Sequence, residues 1–138
     1  MSPTILRARY TETTPSETFP APSNNNVSWH TLISAPQTDT TDLSAGIAIC
    51  PPQTGRLCPH RHDQAEIYHI LEGEGDMTVD GVTTKVQAGC TVFIPRNAEH
   101  GIVNTGDEVL RWFYVFAVGS FGEIVYRFSG EAGGKAKL

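Results

Sequence analysis

Hydrophobic and polar residues alternate along the middle of this chain in short bursts separated by turn formers. Residues 27–33 and 45–50 open the pattern, and 66–71, 76–79, 82–86, 91–94, 100–103 and 109–118 continue it. Runs this short, at about 8–12-residue spacing, predict the strands of a sandwich or barrel. Asp80-Gly81 between two of them predicts a tight hairpin, because both central positions tolerate positive φ. Gly73, Gly75, Gly89 and Gly106 punctuate the rest. No segment sustains a helical period, so the predicted fold class is all-β.

Period-two alternation assigns faces. Glu66, Tyr68 and Ile70 share one side of their strand, and His69 and Leu71 take the other. His100, Ile102 and Asn104 group in the same way, and a barrel carrying Glu66 and His100 inside would hold a polar site between aliphatic and aromatic walls. His60 and His62 have the same even phase, and an extended chain would bring Cys58 to that side too. The run 110–118 is apolar on both faces and needs a covering layer, supplied by a partner subunit or by the N-terminal arm. Phe121, Ile124, Tyr126 and Phe128 would close the barrel end or pack on the same surface.

Composition sets limits on this picture. The chain has 138 residues, enough for one domain with a modest core. Residues 1–26, rich in Thr, Ser, Pro and Asn, read as an irregular arm, 27–128 as the barrel domain and 129–138 as a flexible tail. Lys135 and Lys137 read as part of that solvated end. A net charge of −5 without a basic stripe argues against nucleic acid. No apolar run reaches bilayer length, and the first twenty residues lack a secretory core. Cys50, Cys58 and Cys90 are odd in number and make no C-x-x-C pair, so they read as buried structural thiols in a reducing compartment. The expected location is cytoplasmic.

The chemistry lies in His60, His62, Glu66 and His100. Imidazole nitrogen and carboxylate oxygen suit one divalent transition metal per chain, drawn from Fe, Mn, Ni, Cu, Zn and Co. Three imidazoles and one carboxylate leave positions open on a five- or six-coordinate ion, and open positions imply catalysis. Tyr68, two residues beyond Glu66, reads as a packing residue of the barrel and is also the candidate catalytic residue, as an acid or base or as an orienting group. His30 and His69 fit no ligand position and read as structural. Arg61 and Arg96 read as rim residues and Arg56 as a surface residue, while Cys58 is a candidate for the substrate side.

These spacings resemble the two motifs of the cupin superfamily. His60-x-His62-x3-Glu66-x6-Gly73 follows the first motif, and Gly89-x5-Pro95 with His100 and Asn104 follows the second. Gly55 stands one residue closer to His60 than the motif's leading glycine. Asn97 replaces a motif glycine, and Asn tolerates the left-handed conformation well. Neither departure touches a ligand position. The resemblance covers roughly residues 27–118, occurs once, and implies a small double-stranded β-helix, a jelly-roll-like barrel that commonly forms homodimers.

The leading functional expectation is a cofactor-free oxygenase acting on a small oxygenated organic compound. The alternatives are a non-redox lyase, isomerase or epimerase working through an enolate, and a non-catalytic small-molecule binding module.

Overall fold

The alternating runs assemble into two antiparallel six-stranded sheets. The computed structural model describes residues 1–130 and the backbone of residues 135–137. In spatial order the first sheet contains β1 (Glu17–Thr18), β2 (Ser28–Ile33), β3 (Ser44–Cys50), β10 (Leu110–Phe116), β5 (Glu66–Glu72) and β8 (Thr91–Ile94). The second contains β12 (Lys135–Lys137), β11 (Val125–Phe128), β4 (Arg56–Arg61), β9 (His100–Asn104), β6 (Glu74–Val79) and β7 (Val82–Gln87). A four-residue helix, α1 (Tyr10–Thr13), and a 3-10 turn at Phe121–Glu123 are the helical pieces among the described residues. None of the described helices is long and apolar enough to cross a membrane.

The predicted face assignments explain the packing. In β5, Glu66, Tyr68 and Ile70 are buried while Ile67, His69 and Leu71 are exposed. In β10, Leu110, Trp112, Tyr114 and Phe116 are buried, whereas Arg111, Phe113 and Val115 are half-buried. Trp112, Tyr68, Phe116 and Ile102 are each at most 1% exposed between the sheets. Each such apolar side chain contributes about 1.5–3 kcal/mol relative to leaving it in water. On the outer face of the first sheet, Ile67 lies opposite Phe93 and Val115, and Ile67 and Phe93 remain 42% and 64% exposed.

The turns carry the predicted backbone. Asp80 and Gly81 join β6 to β7 with φ of 47° and 81°. Asn97, where the motif has glycine, has φ of 60°, the left-handed region that Asn enters at low cost.

Two segments read as peripheral contribute to the architecture. In the arm, β1 pairs with β2 and Phe19 enters the core. Asn25 Oδ1 then accepts from the Cys58 amide and Asn26 Oδ1 from the Arg56 amide, each at 2.7 Å. Beyond the core, β11 pairs with β4 and inserts Tyr126. Of the tail read as flexible over 129–138, residues 131–134 and 138 lie outside the described residues, whereas Lys135–Lys137 form β12 and pair with β11.

Candidate metal centre

Strand pairing brings the ligand candidates together. His60 near the end of β4 lies opposite His100 at the start of β9, and their ring centroids are 4.1 Å apart. His62 follows β4 directly, and Glu66 opens β5 between Ile94 and Phe116. The metal-binding atoms of His60, His62 and His100 all lie within 4.8 Å of one another, and all three residues are buried. Glu66 Oε1 sits 3.2 Å from His62 Nε2 and 3.3 Å from His100 Nε2. Two donors bound side by side to one ion at about 2.0–2.2 Å would stand about 3 Å apart.

Local hydrogen bonds set the imidazole tautomers. His60 Nδ1 lies 2.8 Å from the Cys58 carbonyl, His62 Nδ1 2.9 Å from the Gln64 carbonyl, and His100 Nδ1 3.0 Å from the Ala98 carbonyl. A carbonyl only accepts, so each Nδ1 carries a proton, and in the neutral ring each Nε2 presents a lone pair. Nε2 of His60 and Nε2 of His100 have no hydrogen-bond partner; Glu66 is close to the second but poorly aligned for one. In the neutral state a carboxylate oxygen therefore faces the lone pairs of His62 and His100. Such a buried contact is repulsive until a positive charge stands between the groups. Burial, then the neighbouring His100, holds the His60 imidazole well below its ordinary pKa, so it stays neutral and able to ligate. The donor set fits a divalent transition metal.

Outside the cluster, arginines brace the ligand loop. Arg96 Nε donates to the Asp63 carbonyl at 3.0 Å, Arg127 to the Asp63 carboxylate at 2.9 Å, and Arg61 to the Asn97 carbonyl at 2.8 Å. The Asn97 amide in turn donates to the His62 carbonyl at 2.9 Å. Arg61 and Arg96 are exposed, as at a rim, and Arg56 is exposed with a bond to the Thr54 carbonyl. His30 is buried on β2, and His69 is exposed and bonded to Thr91; neither belongs to the cluster. Asn104 acts as a staple: Nδ2 donates to the carbonyls of Cys50, Pro51 and Glu108, and Oδ1 accepts from the Gly106 amide.

The phase argument for Cys58 fails at a β-bulge. The register of β4 against β9 shifts between Leu57 and His60, so Leu57 and His60 are both buried. An irregular step moves the intervening residues to the other side, and Leu57 rather than Cys58 lines the cavity. The Cys58 thiol instead contacts the Asn24 carbonyl. Of the three free thiols, Cys50 alone is fully buried, while Cys58 and Cys90 are half-buried. Burial raises the Cys50 thiol to about 11.

Beside the donors lies a cavity lined by Phe19, Val27, Trp29, Ala48, Leu57, Glu66, Tyr68, Trp112, Tyr114 and Tyr126. Tyr68 is stacked on Trp112 at 5.1 Å and Tyr126 on His60 at 4.5 Å. Burial, then the Glu66 carboxylate, raises the phenols of Tyr68, Tyr114 and Tyr126 well above 10. Six of these lining residues are aromatic, and Glu66 is the charged residue among them. Trp112 and Tyr114 carry the even phase of β10 and were readable as inward-facing. Phe19 had no such signal in its Thr- and Pro-rich surroundings.

A two-sheet barrel with three inward imidazoles beside a carboxylate is the arrangement that the two sequence motifs anticipate. The chain belongs to the cupin family: a family model described as a cupin domain matches residues 46–116. The protein named dimethylsulfoniopropionate lyase DddW from Ruegeria pomeroyi is 44% identical over 111 residues, 80% of this chain and 72% of that protein. A protein named H2HPP isomerase from Bacillus subtilis is 31% identical over 91 residues, 65% of this chain and 37% of that protein. Among solved structures, the polyketide cyclase RemF from Streptomyces resistomycificus superposes with a TM-score of 0.73 at 22% identity, covering 95% of this chain and 89% of that one.

Proposed function

We propose that this cupin is a metal-dependent lyase that cleaves the carbon–sulfur bond of a 3-(dialkylsulfonio)propanoate, of which dimethylsulfoniopropionate is the simplest. His60, His62, Glu66 and His100 hold one divalent transition metal. The observation that carries the reading is the cavity wall, where six aromatic residues and one carboxylate adjoin the donor cluster without a cationic residue. Aromatic faces attract a ligand cation by about 0.5–2 kcal/mol each, the more so when it is desolvated. The similarity to a protein named as a lyase of such a compound supports the same substrate class.

When bound, the metal supplies Lewis acidity to the substrate carboxylate and acidifies the adjacent C–H. The chain's residues do the rest. Trp29, Trp112 and Phe19 seat the sulfonium end, and their apolar faces displace water from it. Elimination removes a proton from the carbon next to the carboxylate, forms the C=C bond and breaks the C–S bond. Neutral dialkyl sulfide leaves together with an unsaturated carboxylate. Tyr68 is the proton-transfer residue at this wall. Burial, and after it the Glu66 carboxylate, raises the Tyr68 pKa; compensating the Glu66 charge removes the second of these causes and makes proton transfer through Tyr68 easier.

The test is incubation of metal-analysed protein with dimethylsulfoniopropionate, following dimethyl sulfide and acrylate in the absence of oxygen. Anaerobic product formation supports the lyase. Oxygen consumption without elimination instead supports the second reading, a cofactor-free oxygenase, which is favoured by the coordination positions that the donor set leaves open. The reading includes a homodimer formed over Ile67, Phe93 and Val115, tested by light scattering of the eluted protein. It also includes a cytoplasmic location, in keeping with three free thiols.

A further inference from the structure

We propose that Phe19 is the movable wall of the cavity and the residue that limits the size of the group lodged opposite the metal centre. This rests on the substrate reading above for the identity of that group, but not for the wall itself. Phe19 lies on the N-terminal segment, outside the region matched by the family model. It is 8% exposed although Thr18 and Pro20 on either side are exposed. Its ring meets Trp29 of the first sheet edge-on at 5.1 Å, and Tyr126 and Phe128 of the second at 5.5 and 5.7 Å. One side chain thus bridges the gap between the two sheets at the cavity.

The cavity has room for about one or two waters. A dialkylsulfonio carboxylate is several times larger, so a wall has to move. Trp29, Ala48, Leu57, Glu66, Tyr68, Trp112, Tyr114 and Tyr126 all belong to strands of the two sheets, and Val27 is held between the Asn26 anchor and the start of β2. Displacing the backbone of any of the strand residues breaks ladder hydrogen bonds. Phe19 is different. It follows the two-residue β1, and the next anchors to the barrel are at Asn24–Asn26 on the edge of β4. Among the described residues, no backbone hydrogen bond ties residues 19–23 to the barrel. The segment is held at both ends and free between them, so the Phe19 ring can swing out while the sheets stay intact.

Two ligand series separate this proposal from the substrate reading. The first is 3-(trimethylammonio)propanoate and its triethyl homologue, onium carboxylates without a sulfur leaving group. The second is 4,4-dimethylpentanoate and 4,4-diethylhexanoate, their uncharged-end counterparts. Binding to metal-loaded wild-type, Phe19→Ala and Phe19→Leu proteins is read from the fluorescence of Trp29 and Trp112. The wild type should favour the smaller member by at least about ten-fold, in line with the discrimination a filled pocket gives. Both variants should bring that ratio near one, mainly by gaining affinity for the larger member. Phe19→Leu guards against a folding defect in the alanine variant. Hydrogen exchange in the peptide spanning residues 17–26 should slow several-fold with the tight ligand.

If the size ratio shifts while onium and uncharged ligands bind alike, the wall stands and the cation reading falls. If the ratio is the same in all three proteins, or no member of either series binds, Phe19 is not the limiting wall. Unchanged exchange in the 17–26 peptide refutes its movement.

Discussion

His62→Ala separates metal binding from folding. A metal that binds only the folded chain and is present at one hundred times its dissociation constant stabilises by about 2.7 kcal/mol. For 138 residues, the unfolding entropy near 60 °C is about 0.29 kcal/mol/K at roughly 2.1 cal/mol/K per residue. The wild type should therefore melt about 9 °C higher with metal than after chelation. In the variant, the lost ring leaves space against Phe116 and Tyr126, which it meets at 5.1 and 5.3 Å. A large-to-small change at such a site costs about 2–4 kcal/mol, part of it offset because Glu66 no longer faces the His62 lone pair. The metal-free variant should fall by at most about 14 °C and stay folded. Its metal-dependent shift should vanish. Differential scanning with and without chelator, paired with elemental analysis, reads both quantities. His69→Ala, exposed on the outer face, is the control and should keep the full shift. A His62→Ala protein that retains one metal per chain and the full shift would refute the ligand assignment.

Three further outcomes are expected. Tyr68→Phe should keep metal and fold but lose turnover by about 10²–10⁴-fold, the range for a positioned proton-transfer group; turnover within a few-fold of wild type in product assays would remove Tyr68 from the mechanism. Asn104→Asp replaces a donor that serves three carbonyls with lone pairs, so melting should fall by an amount equivalent to at least about 2 kcal/mol, and an unchanged midpoint would contradict the staple. The metal-free protein should lose stability on acidification. His60 is held neutral well below 6.5, so the unfolded chain takes up a proton that the folded chain refuses. That contribution is intact above pH 6.5 and is lost as pH falls from there towards the folded value, by up to about 1.4 kcal/mol per pH unit. A melting temperature that stays flat from pH 7 to pH 5 would contradict it.

The legible part of this protein is what local patterning controls. Burial of Glu66, Tyr68, Ile70, His100, Ile102 and Asn104 follows from period two, and Asp80-Gly81 and Asn97 advertise their turns through the conformations they tolerate. Phase failed where the backbone is irregular. The bulge in β4 reverses Cys58 because an extra residue leaves no mark in the hydrophobic pattern. Strands β1, β4 and β11 were also hard to read. β1 has two residues, β4 contains Pro59, and β11 lies past the last strong apolar run. Phe19 was the least legible, since its burial depends on Trp29, Tyr126 and Phe128 from distant strands.

The same division separates the donor cluster from the wall beside it. Each imidazole is oriented by a carbonyl two residues away in its own segment: Cys58 for His60, Gln64 for His62 and Ala98 for His100. Ligand tautomer is therefore a local property, and any chain that reproduces these short segments in a closed barrel presents the same three lone pairs. That arrangement can serve lyases, isomerases or oxygenases, because a donor set fixes where an ion sits and not what is brought to it. Selectivity has to come from groups outside the local segments. The cavity wall beside the donors offers Trp29, Trp112 and Tyr126 on three different strands, and Phe19 on the arm. Substrate class should accordingly change with substitutions in this wall while metal content stays constant, and metal content should change with the histidines whatever the wall contains.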